Sequence, residues 1–276
     1  MMDAERRAEK EVGGSKVVKF EVLKVSKDKS RMTFLLKDSN NAYSNALRRI
    51  MLGEVPVMAI EDVEIRKNSS AIYDEVIAQR LGLTPLTTDL ESYELPQSEE
   101  DIKEKKAKCT VQLTLKEKGP KTVYASEMKT ADPKIKPVHP KMPIAKLLKD
   151  QELEFVATAV LGKGEVHAKW SPCHVWYTYN PNLKINNKNP DIVKFKDMYP
   201  PQIFNKKGEI EESLILENNL VDAVAHVNPN IIKVDYNDTE YVFHVESWGQ
   251  LSAKEIVSQA LIMFDLKLDE IEKLLK

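Results

Sequence analysis

One short segment, residues 38–56, constrains the fold more than any other part of this 276-residue chain, because it carries both a helix start and a helix stop. Short polar side chains at a helix start accept hydrogen bonds from the free N–H groups of the first turn. The candidates for this N-cap are Asp38, Ser39 and Asn40. Gly53 can take a left-handed conformation after the last turn, and Pro56 cannot continue a helix. The segment therefore predicts one complete helix.

The predicted helix has an apolar stripe and a polar side. Residues three and four positions apart share a helix face. The stripe consists of Tyr43, Leu47, Ile50 and Met51. Ala46 beside it would let another backbone approach, and Arg48 and Arg49 stand on the other side. Arginine is enriched in protein interfaces, so this face is suited to contact with a partner. The alternative is an ordinary amphipathic helix that packs on its own core.

The end of the chain predicts a second, longer amphipathic helix. Ser252 and Glu255 have the spacing of a capping box, in which each side chain bonds the backbone N–H of the other residue. Large apolar residues then recur at spacings of four and three, as in a heptad seam. These residues are Val257, Leu261, Phe264, Leu268, Ile271 and Leu275. Such a face must be covered, either by its own domain or by a partner.

Several segments, in order along the chain, resemble the alpha-type subunits of multisubunit RNA polymerases, and most of all the archaeal D-type members. The first helix is similar to the assembly helix of that family, and the last segment to its return to the first domain. The segments that carry the resemblance are residues 45–56, 59–63, 74–86, 161–172 and 243–249. The resemblance implies a non-catalytic, architectural subunit of a DNA-directed RNA polymerase that functions in transcription.

The resemblance also implies a partner surface. The two amphipathic helices would pair with a small L-type subunit, and the heterodimer would form the platform for the large catalytic subunits and other small subunits. The interface residues that it implies are Tyr43, Ala46, Leu47, Arg48, Arg49, Ile50, Met51, Val257, Leu261, Phe264, Leu268 and Ile271. The alternative is a free-standing soluble binding protein or enzyme whose apolar helices serve only its own core.

The composition is that of a globular chain without an obvious nucleic-acid surface. Hydrophobic residues make up 42%, charged residues 30%, and the formal net charge is −2. A protein that grips DNA by itself usually has a clear basic excess, so no direct sequence-specific DNA binding is expected. No apolar run is long enough for a membrane helix, and the charged N-terminus does not resemble a signal peptide. With only two cysteines, Cys109 and Cys173, a reducing cytoplasmic location is expected.

The pattern of strands and helices indicates an α+β fold in several parts. Residues 1–16 are charged and are expected to be frayed. Residues 17–55 and 239–276 would form a discontinuous dimerisation domain, with alternating apolar residues at 18–22 and 32–36 predicting two half-buried strands. Residues 56–180 would form an inserted β-rich domain, with Asp74 as the cap of a second helix. Residues 181–238 are rich in Asn, Pro and Lys and predict an irregular excursion, which the resemblance assigns to a degenerate ferredoxin-like insertion.

The chain shows no recognisable catalytic motif or cofactor site. It has no Gly-rich phosphate loop and no Gly-x-Ser-x-Gly elbow, so its status as an enzyme by itself stays open. His167, Cys173 and His174 lie near one another, but they lack the paired ligand spacing of a zinc site. Iron–sulfur clusters of some relatives would require cysteines within 181–238, and a zinc loop would require them within 87–108. Neither stretch contains one, so no cofactor or metal is expected.

Overall fold

The computed structural model describes residues 17–96, 98–104 and 106–275, so the segment 1–16, predicted to be frayed, lies outside the described residues. The strands are β1 (Lys19–Val25), β2 (Arg31–Lys37), β3 (Val57–Asn68), β4 (Thr110–Lys118), β5 (Lys121–Tyr124), β6 (Lys129–Thr130), β7 (Pro143–Leu147), β8 (Glu152–Gly162), β9 (Cys173–Ile185) and β10 (Ile232–Ser247). The α-helices are α1 (Asn41–Gly53), α2 (Asp74–Gly82), α3 (Glu99–Lys103), α4 (Ile192–Phe195), α5 (Glu212–Glu217), α6 (Val221–Ala225) and α7 (Ala253–Leu275).

The described residues fold as two compact units, in a mixed α and β arrangement rich in sheets. The large unit holds residues 22–34, 42–176 and 244–276. The small unit holds residues 35–41 and 177–243, together with the described residues before Val22. The sheet orders are β1-β2-β10-β9, β3-β8-β4-β6 and β5-β7. The predicted domain boundaries differ from this division, and they stay predictions.

Most of the core of the large unit lies on the sheet built around β8. This strand pairs antiparallel with β3 on one side, from Val57 opposite Gly162 to Asn68 opposite Leu153. On its other side it pairs antiparallel with β4. Alternate side chains of these strands are buried together with those of α2. The largest fully buried members are Met58, Ile60, Ile77, Leu81, Leu86, Leu113 and Phe155.

The first two strands form where alternation predicted them, but only one of them is half-buried. In β2 the side chains of Met32, Phe34 and Leu36 are buried, whereas every residue of β1 is exposed. β1 lies at one edge of its sheet, and the described residues cover neither of its faces. Alternation therefore predicted the strand correctly and its burial wrongly. In the turn between the strands, Lys29 adopts the left-handed region at φ 61.

Two predicted helix ends differ from the structure. Gly53 is the last residue of α1, and the described left-handed glycines are Gly208 and Gly249. The carbonyl of Gly53 accepts from the backbone N–H of Glu165 at 3.0 Å, so the helix end needs no left-handed turn. Asp74 is the first residue of α2 instead of its cap, and its carboxylate accepts from the Asn68 side-chain amide at 2.6 Å.

The segment 181–238 is more ordered than its composition predicted. It contains α4, α5 and α6 and has an apolar core of its own. The buried members are Leu183, Tyr199, Ile203, Ile210, Ile215, Val224, Ile231 and Ile232. These apolar residues are spread along the segment without a clear period, so windows of sequence did not reveal a core. A ferredoxin-like fold for this segment stays a prediction.

Candidate assembly surface

The apolar stripe of α1 faces its own unit. Leu47 and Met51 are fully buried, and Ile50 is nearly so. Ser44, one turn before Leu47, is buried with them. These three apolar side chains are therefore packed inside the folded chain, and their assignment to a partner interface stays a prediction. For them the alternative reading, packing on the domain's own core, describes the structure.

The rest of α1 presents a mixed surface. Arg49 is exposed, and Ala46 and Arg48 are half-buried. The Arg48 guanidinium donates to the Asn45 Oδ1 atom, from Nε at 3.1 Å and from Nη2 at 2.9 Å. These bonds orient Arg48 along the helix surface. Arg48 and Arg49 therefore lie on the accessible side of α1, whereas Ala46 borders the buried stripe on the opposite flank from Arg48.

Tyr43 connects α1 with the last helix. Its ring packs against the ring of Phe264, with centroids 5.1 Å apart and planes tilted by 59°. Burial raises the pKa of Tyr43, and the nearby negative charge of Asp265 raises it further. The phenol is therefore neutral at physiological pH. Both rings are half-buried, so the aromatic pair forms part of the surface that α1 and α7 share.

The start of α7 is formed as the sequence predicts. The backbone N–H of Ser252 donates to the Glu255 carboxylate at 2.8 Å, and the backbone N–H of Glu255 donates to the Ser252 hydroxyl at 3.3 Å. This reciprocal pair is a capping box, and it satisfies N–H groups that a first helical turn leaves free. The first half of α7 then packs into the large unit. Its buried residues are Ala253, Ile256, Val257 and Ala260.

The second half of α7 leaves its own unit. Every side chain from Asp265 to Leu275 is exposed. Leu268 is 50% exposed, Ile271 53% and Leu275 82%. The predicted seam is thus divided, because Val257 lies in the core while Leu261, at 36% exposure, begins the uncovered part. A contiguous row of exposed leucine and isoleucine is the kind of apolar surface that marks an interaction site in a globular protein.

Two further apolar residues of α7 were missed by the sequence analysis. Ile262 and Leu266 are each 49% exposed, and they lie one turn apart. At 3.6 residues per turn they fall on the side of the helix that faces away from the buried residues. They lie outside the heptad seam, so periodicity gave no reason to select them. Only the burial of the opposite side shows that this pair forms a second uncovered apolar strip.

A nearly buried carboxylate joins α1, α7 and the loop after β8. Glu54 accepts from the Lys267 ammonium at 2.6 Å and from the Lys163 ammonium at 3.0 Å, and its side chain is 11% exposed. Burial by itself would raise the pKa of Glu54, but the two ammonium groups outweigh it and hold the pKa below its ordinary value. Lys267 lies in the exposed half of α7. Glu54 therefore attaches this half of the helix to the end of α1.

The loop after β8 also packs tightly against α1. A Cβ atom on Gly164 would lie 2.2 Å from the Leu52 carbonyl oxygen, and one on Gly162 would lie 2.3 Å from the Trp170 ring. The Lys169 ammonium lies 4.3 Å from the centre of the Trp170 ring and donates to the Ile60 carbonyl at 3.0 Å. The segment 161–172, singled out by its resemblance, therefore serves to join the β8 sheet to α1.

The remaining candidate residues have structural contacts. Burial raises the pKa of both thiols, that of Cys173 to about 12, so both are neutral at physiological pH. Cys173 donates to the Met51 carbonyl, His167 accepts from the Lys169 backbone N–H, and His174 packs on Trp176. Among the described residues no group of three His, Cys, Asp or Glu side chains is arranged to hold a metal ion. No helix in the described part of the chain is long and apolar enough to span a membrane.

Known proteins resemble this chain over nearly its whole length. Residues 63–172 match the family described as the RNA polymerase Rpb3/RpoA insert domain, within the predicted inserted domain 56–180. DNA-directed RNA polymerase subunit Rpo3 of Pyrococcus furiosus is 37% identical over 274 residues, which cover 92% of this chain and 98% of that protein. Rpo3 of Methanosphaera stadtmanae is 34% identical over 260 residues, covering 89% of this chain and 94% of the relative.

A third relative, Rpo3 of Methanosarcina acetivorans, is 36% identical over 244 residues, which cover 86% of this chain and 91% of the relative. The resemblance to alpha-type polymerase subunits is thereby confirmed, and the chain belongs to the family of archaeal DNA-directed RNA polymerase subunit Rpo3.

Proposed function

We propose that this chain is the D-type architectural subunit of its RNA polymerase and pairs with a small L-type subunit through α7. The observation that carries the proposal is the uncovered second half of α7. Leu268 and Ile271 are half exposed there, and their own unit supplies nothing that covers them. Burying each such side chain is worth roughly 1.5–3 kcal/mol, so a complementary partner surface would gain substantial free energy.

The proposed contact surface is wider than one helix. The ring pair Tyr43–Phe264 continues the apolar area of α7 onto α1. Ala46 lies near the centre of this helix and permits close approach of a partner backbone. The Glu54–Lys267 ion pair holds the two helices of this surface together, because it links the exposed half of α7 to the end of α1. A partner would then meet a surface that is organised before binding, which lowers the entropy cost of association.

The large catalytic subunits would contact the resulting heterodimer, together with other small subunits. Arg48 and Arg49 remain accessible on the opposite side of α1, and arginine is well suited to such contacts. The chain itself would carry no active site and no cofactor. Nucleotide transfer would be the work of the assembled polymerase, in the cytoplasm, and this chain would hold the large subunits in place without contacting specific DNA sequences.

The other reading, a free-standing binding protein or enzyme, has less support. It requires α7 to serve its own core, which accounts for Val257 and Ala260 but leaves the row from Leu261 to Leu275 in water. A monomer with such a row would be prone to aggregation. Family membership also favours a subunit of a larger assembly.

The proposal is tested by substitutions in the exposed row. Leu268→Asp and Ile271→Asp each place a charge in the proposed contact, where an unpaired buried carboxylate costs several kcal/mol. We expect each variant to keep the circular dichroism spectrum of the wild type and to lose capture of a co-expressed L-type subunit in a pull-down. The matched control is Leu47→Asp on α1, which should unfold the chain, because Leu47 is fully buried in its own unit.

The two groups of variants separate lost binding from lost folding. If Leu268→Asp and Ile271→Asp both bind the L-type subunit at wild-type strength while folded, α7 is not the assembly surface. A clean, stable monomer of the wild-type chain without any partner would equally contradict the proposal.

A further inference from the structure

The turn between β1 and β2, residues 26–30, contacts the start of α7 through its backbone. The Lys29 carbonyl accepts a hydrogen bond from the backbone N–H of Ala253, the first residue of α7, at 3.0 Å. The next carbonyl along the turn, that of Ser30, accepts from the backbone N–H of Ser247, the last residue of β10, at 2.7 Å. Two consecutive carbonyls of one turn therefore hold the connection from β10 to α7 at both of its ends.

The turn that carries these two carbonyls contains a left-handed residue, Lys29 at φ 61. The backbone N–H of Lys29 donates to the Ser26 carbonyl at 3.0 Å, and the backbone N–H of Ser26 donates to the Arg31 carbonyl at 2.9 Å. A residue with a Cβ atom seldom adopts the left-handed region, and a β-branched residue is a rare exception there. The Lys29 side chain is exposed. The backbone of Lys29, rather than its side chain, is therefore what meets α7.

The side chain of Asp28 holds this turn in shape. Its carboxylate accepts from the hydroxyl group of Ser26, from the hydroxyl group of Ser30 at 2.9 Å and from the backbone N–H of Ser30 at 3.2 Å. These bonds, above all the one from Ser26, lower the pKa of Asp28 to about 2, so the carboxylate is charged at physiological pH. The Ser26 hydroxyl also accepts from the backbone N–H of Arg31 at 2.9 Å. A sparsely populated backbone conformation persists where its surroundings over-determine it in this way.

The direction of α7 matters because the second half of this helix is not covered by its own unit. Bonds at two places along the helix fix this direction. The Lys29 carbonyl holds Ala253, and the Glu54 carboxylate holds Lys267 at 2.6 Å, about 21 Å further along the helix at 1.5 Å per residue. A rotation of about 10° about Ala253 would move Leu268 by roughly 4 Å, which is a large error for a packed contact.

From these contacts we infer that the turn 26–30 positions α7 for partner binding, and that it does so through the left-handed backbone of Lys29 and not through the lysine ammonium group. The inference rests on the proposed function, since α7 is the surface that the turn would position. A chain whose turn has relaxed would leave the first N–H of α7 without its acceptor. Only the fraction of chains with the turn formed would bind, and the apparent affinity would fall by that fraction.

Two substitutions in the full-length chain separate the backbone of Lys29 from its charge. Lys29→Gly and Lys29→Val both remove the ammonium group, but glycine adopts the left-handed region freely and β-branched valine resists it. We expect Lys29→Val to open the turn more often, and so to speed hydrogen exchange of the Ala253 amide about five- to tenfold. In competition with the wild-type chain for a limiting amount of L-type subunit, this variant should be captured several-fold less. Lys29→Gly should match the wild type in both measurements.

Asp150 provides the control for backbone strain as such. It is likewise exposed and left-handed, at φ 64, but it lies in the turn between β7 and β8. In that turn the Gln151 carbonyl accepts from the backbone N–H of Gly119 at 2.8 Å, at the end of β4 and not at α7. Asp150→Val imposes the same kind of strain in a different place. It should leave the exchange of the Ala253 amide and the capture by the L-type subunit at wild-type values, which a general loss of stability would not do.

Three results would overturn the inference: wild-type capture of Lys29→Val, equal impairment of Lys29→Gly and Lys29→Val, or equal impairment of Asp150→Val. Circular dichroism establishes that each variant folds. If Lys29→Val does not fold, Lys29→Ala makes the same comparison with a smaller backbone penalty. Leu268→Asp tests the proposed function separately, because it should abolish capture whatever the result at Lys29. Capture of Leu268→Asp at wild-type strength would contradict the proposed function instead.

Discussion

At the scale of single residues, Glu54 shows how one carboxylate organises a surface that it does not itself form. Its side chain is almost buried, yet it satisfies ammonium groups from two distant parts of the chain, Lys163 and Lys267. A buried carboxylate without such partners would favour protonation. Here the hydrogen bonds reverse that tendency, so the charged form of Glu54 is the one that stabilises the folded chain.

Glu54→Gln should therefore lower the free energy of unfolding by about 1–3 kcal/mol at pH 7, since two lysines lose their common partner. The folded-state pKa of Glu54 lies below its unfolded value of about 4.3. The stabilisation that Glu54 contributes to the fold is thus fully present above the unfolded-state pKa. It is lost as the pH falls through the folded-state pKa. Urea unfolding of the wild-type chain and of Glu54→Gln at pH 7 and at pH 3 measures this effect. The difference between their free energies of unfolding should be smaller at pH 3 than at pH 7. Glu270, which is exposed on α7, provides the control. Glu270→Gln should leave the free energy of unfolding nearly unchanged at both pH values.

The glycines of the loop after β8 give a second test at this scale. Gly164→Ala would place a methyl group 2.2 Å from the Leu52 carbonyl oxygen, so backbone must shift, and we expect a loss of about 1–3 kcal/mol. Gly53→Ala meets nothing nearer than 3.7 Å and replaces a glycine at the end of α1. It should be neutral or stabilising by up to about 1 kcal/mol. Thermal unfolding distinguishes the two, and equal Tm values would show that the loop does not pack on α1 as described.

At the scale of secondary-structure elements, the two amphipathic helices show what a sequence reveals and what it leaves open. Periodicity predicted the apolar faces of α1 and α7 correctly, because spacing determines which residues share a side. It could not say what covers each face. Leu47 and Leu268 occupy equivalent places in their stripes, yet one is fully buried and the other is half exposed. That difference depends on which other parts of the chain pack against each helix, which is a property of the tertiary fold.

The capping box of α7 is an element whose contribution can be measured separately. Ser252→Ala removes the hydroxyl that accepts from the backbone N–H of Glu255. Loss of such a cap typically costs about 1 kcal/mol. We expect the free energy of unfolding to fall by that amount. Urea titration measures it. Ser258→Ala, inside the same helix, is the control and should be neutral or slightly stabilising because alanine is the better helix former. An unchanged value for Ser252→Ala would mean that the first turn of α7 does not depend on its cap.

At the scale of the whole molecule, the segment 181–238 is where sequence reasoning was weakest. Its apolar residues are scattered and follow neither a helix nor a strand repeat, although eight of them form a core. The inserted β-rich domain was easier to predict, because β3, β4 and β8 alternate clearly and the family match 63–172 falls within the predicted bounds. The exposure of β1 was missed for a related reason, since alternation reveals a strand but not whether other elements cover its faces.

The metal content of the whole chain follows from the same segment. Because 181–238 contains no cysteine, no thiolate there can hold an iron–sulfur cluster. We expect purified protein to be colourless and to contain no stoichiometric iron, even when it is prepared without oxygen. Elemental analysis checks this directly. Iron at about the level of one cluster per chain would show that ligands other than cysteine, or from elsewhere in the chain, assemble a site.

The uncovered half of α7 has a consequence for the cell as well as for the complex. A newly made copy displays its leucines until a partner arrives, and exposed apolar helices are what chaperones and proteases engage. An unpaired copy would therefore be short-lived, whereas an assembled one would be protected. The same eleven residues, Asp265 to Leu275, would thus regulate dosage, and the amount of this subunit would follow the supply of its partner without any dedicated regulator.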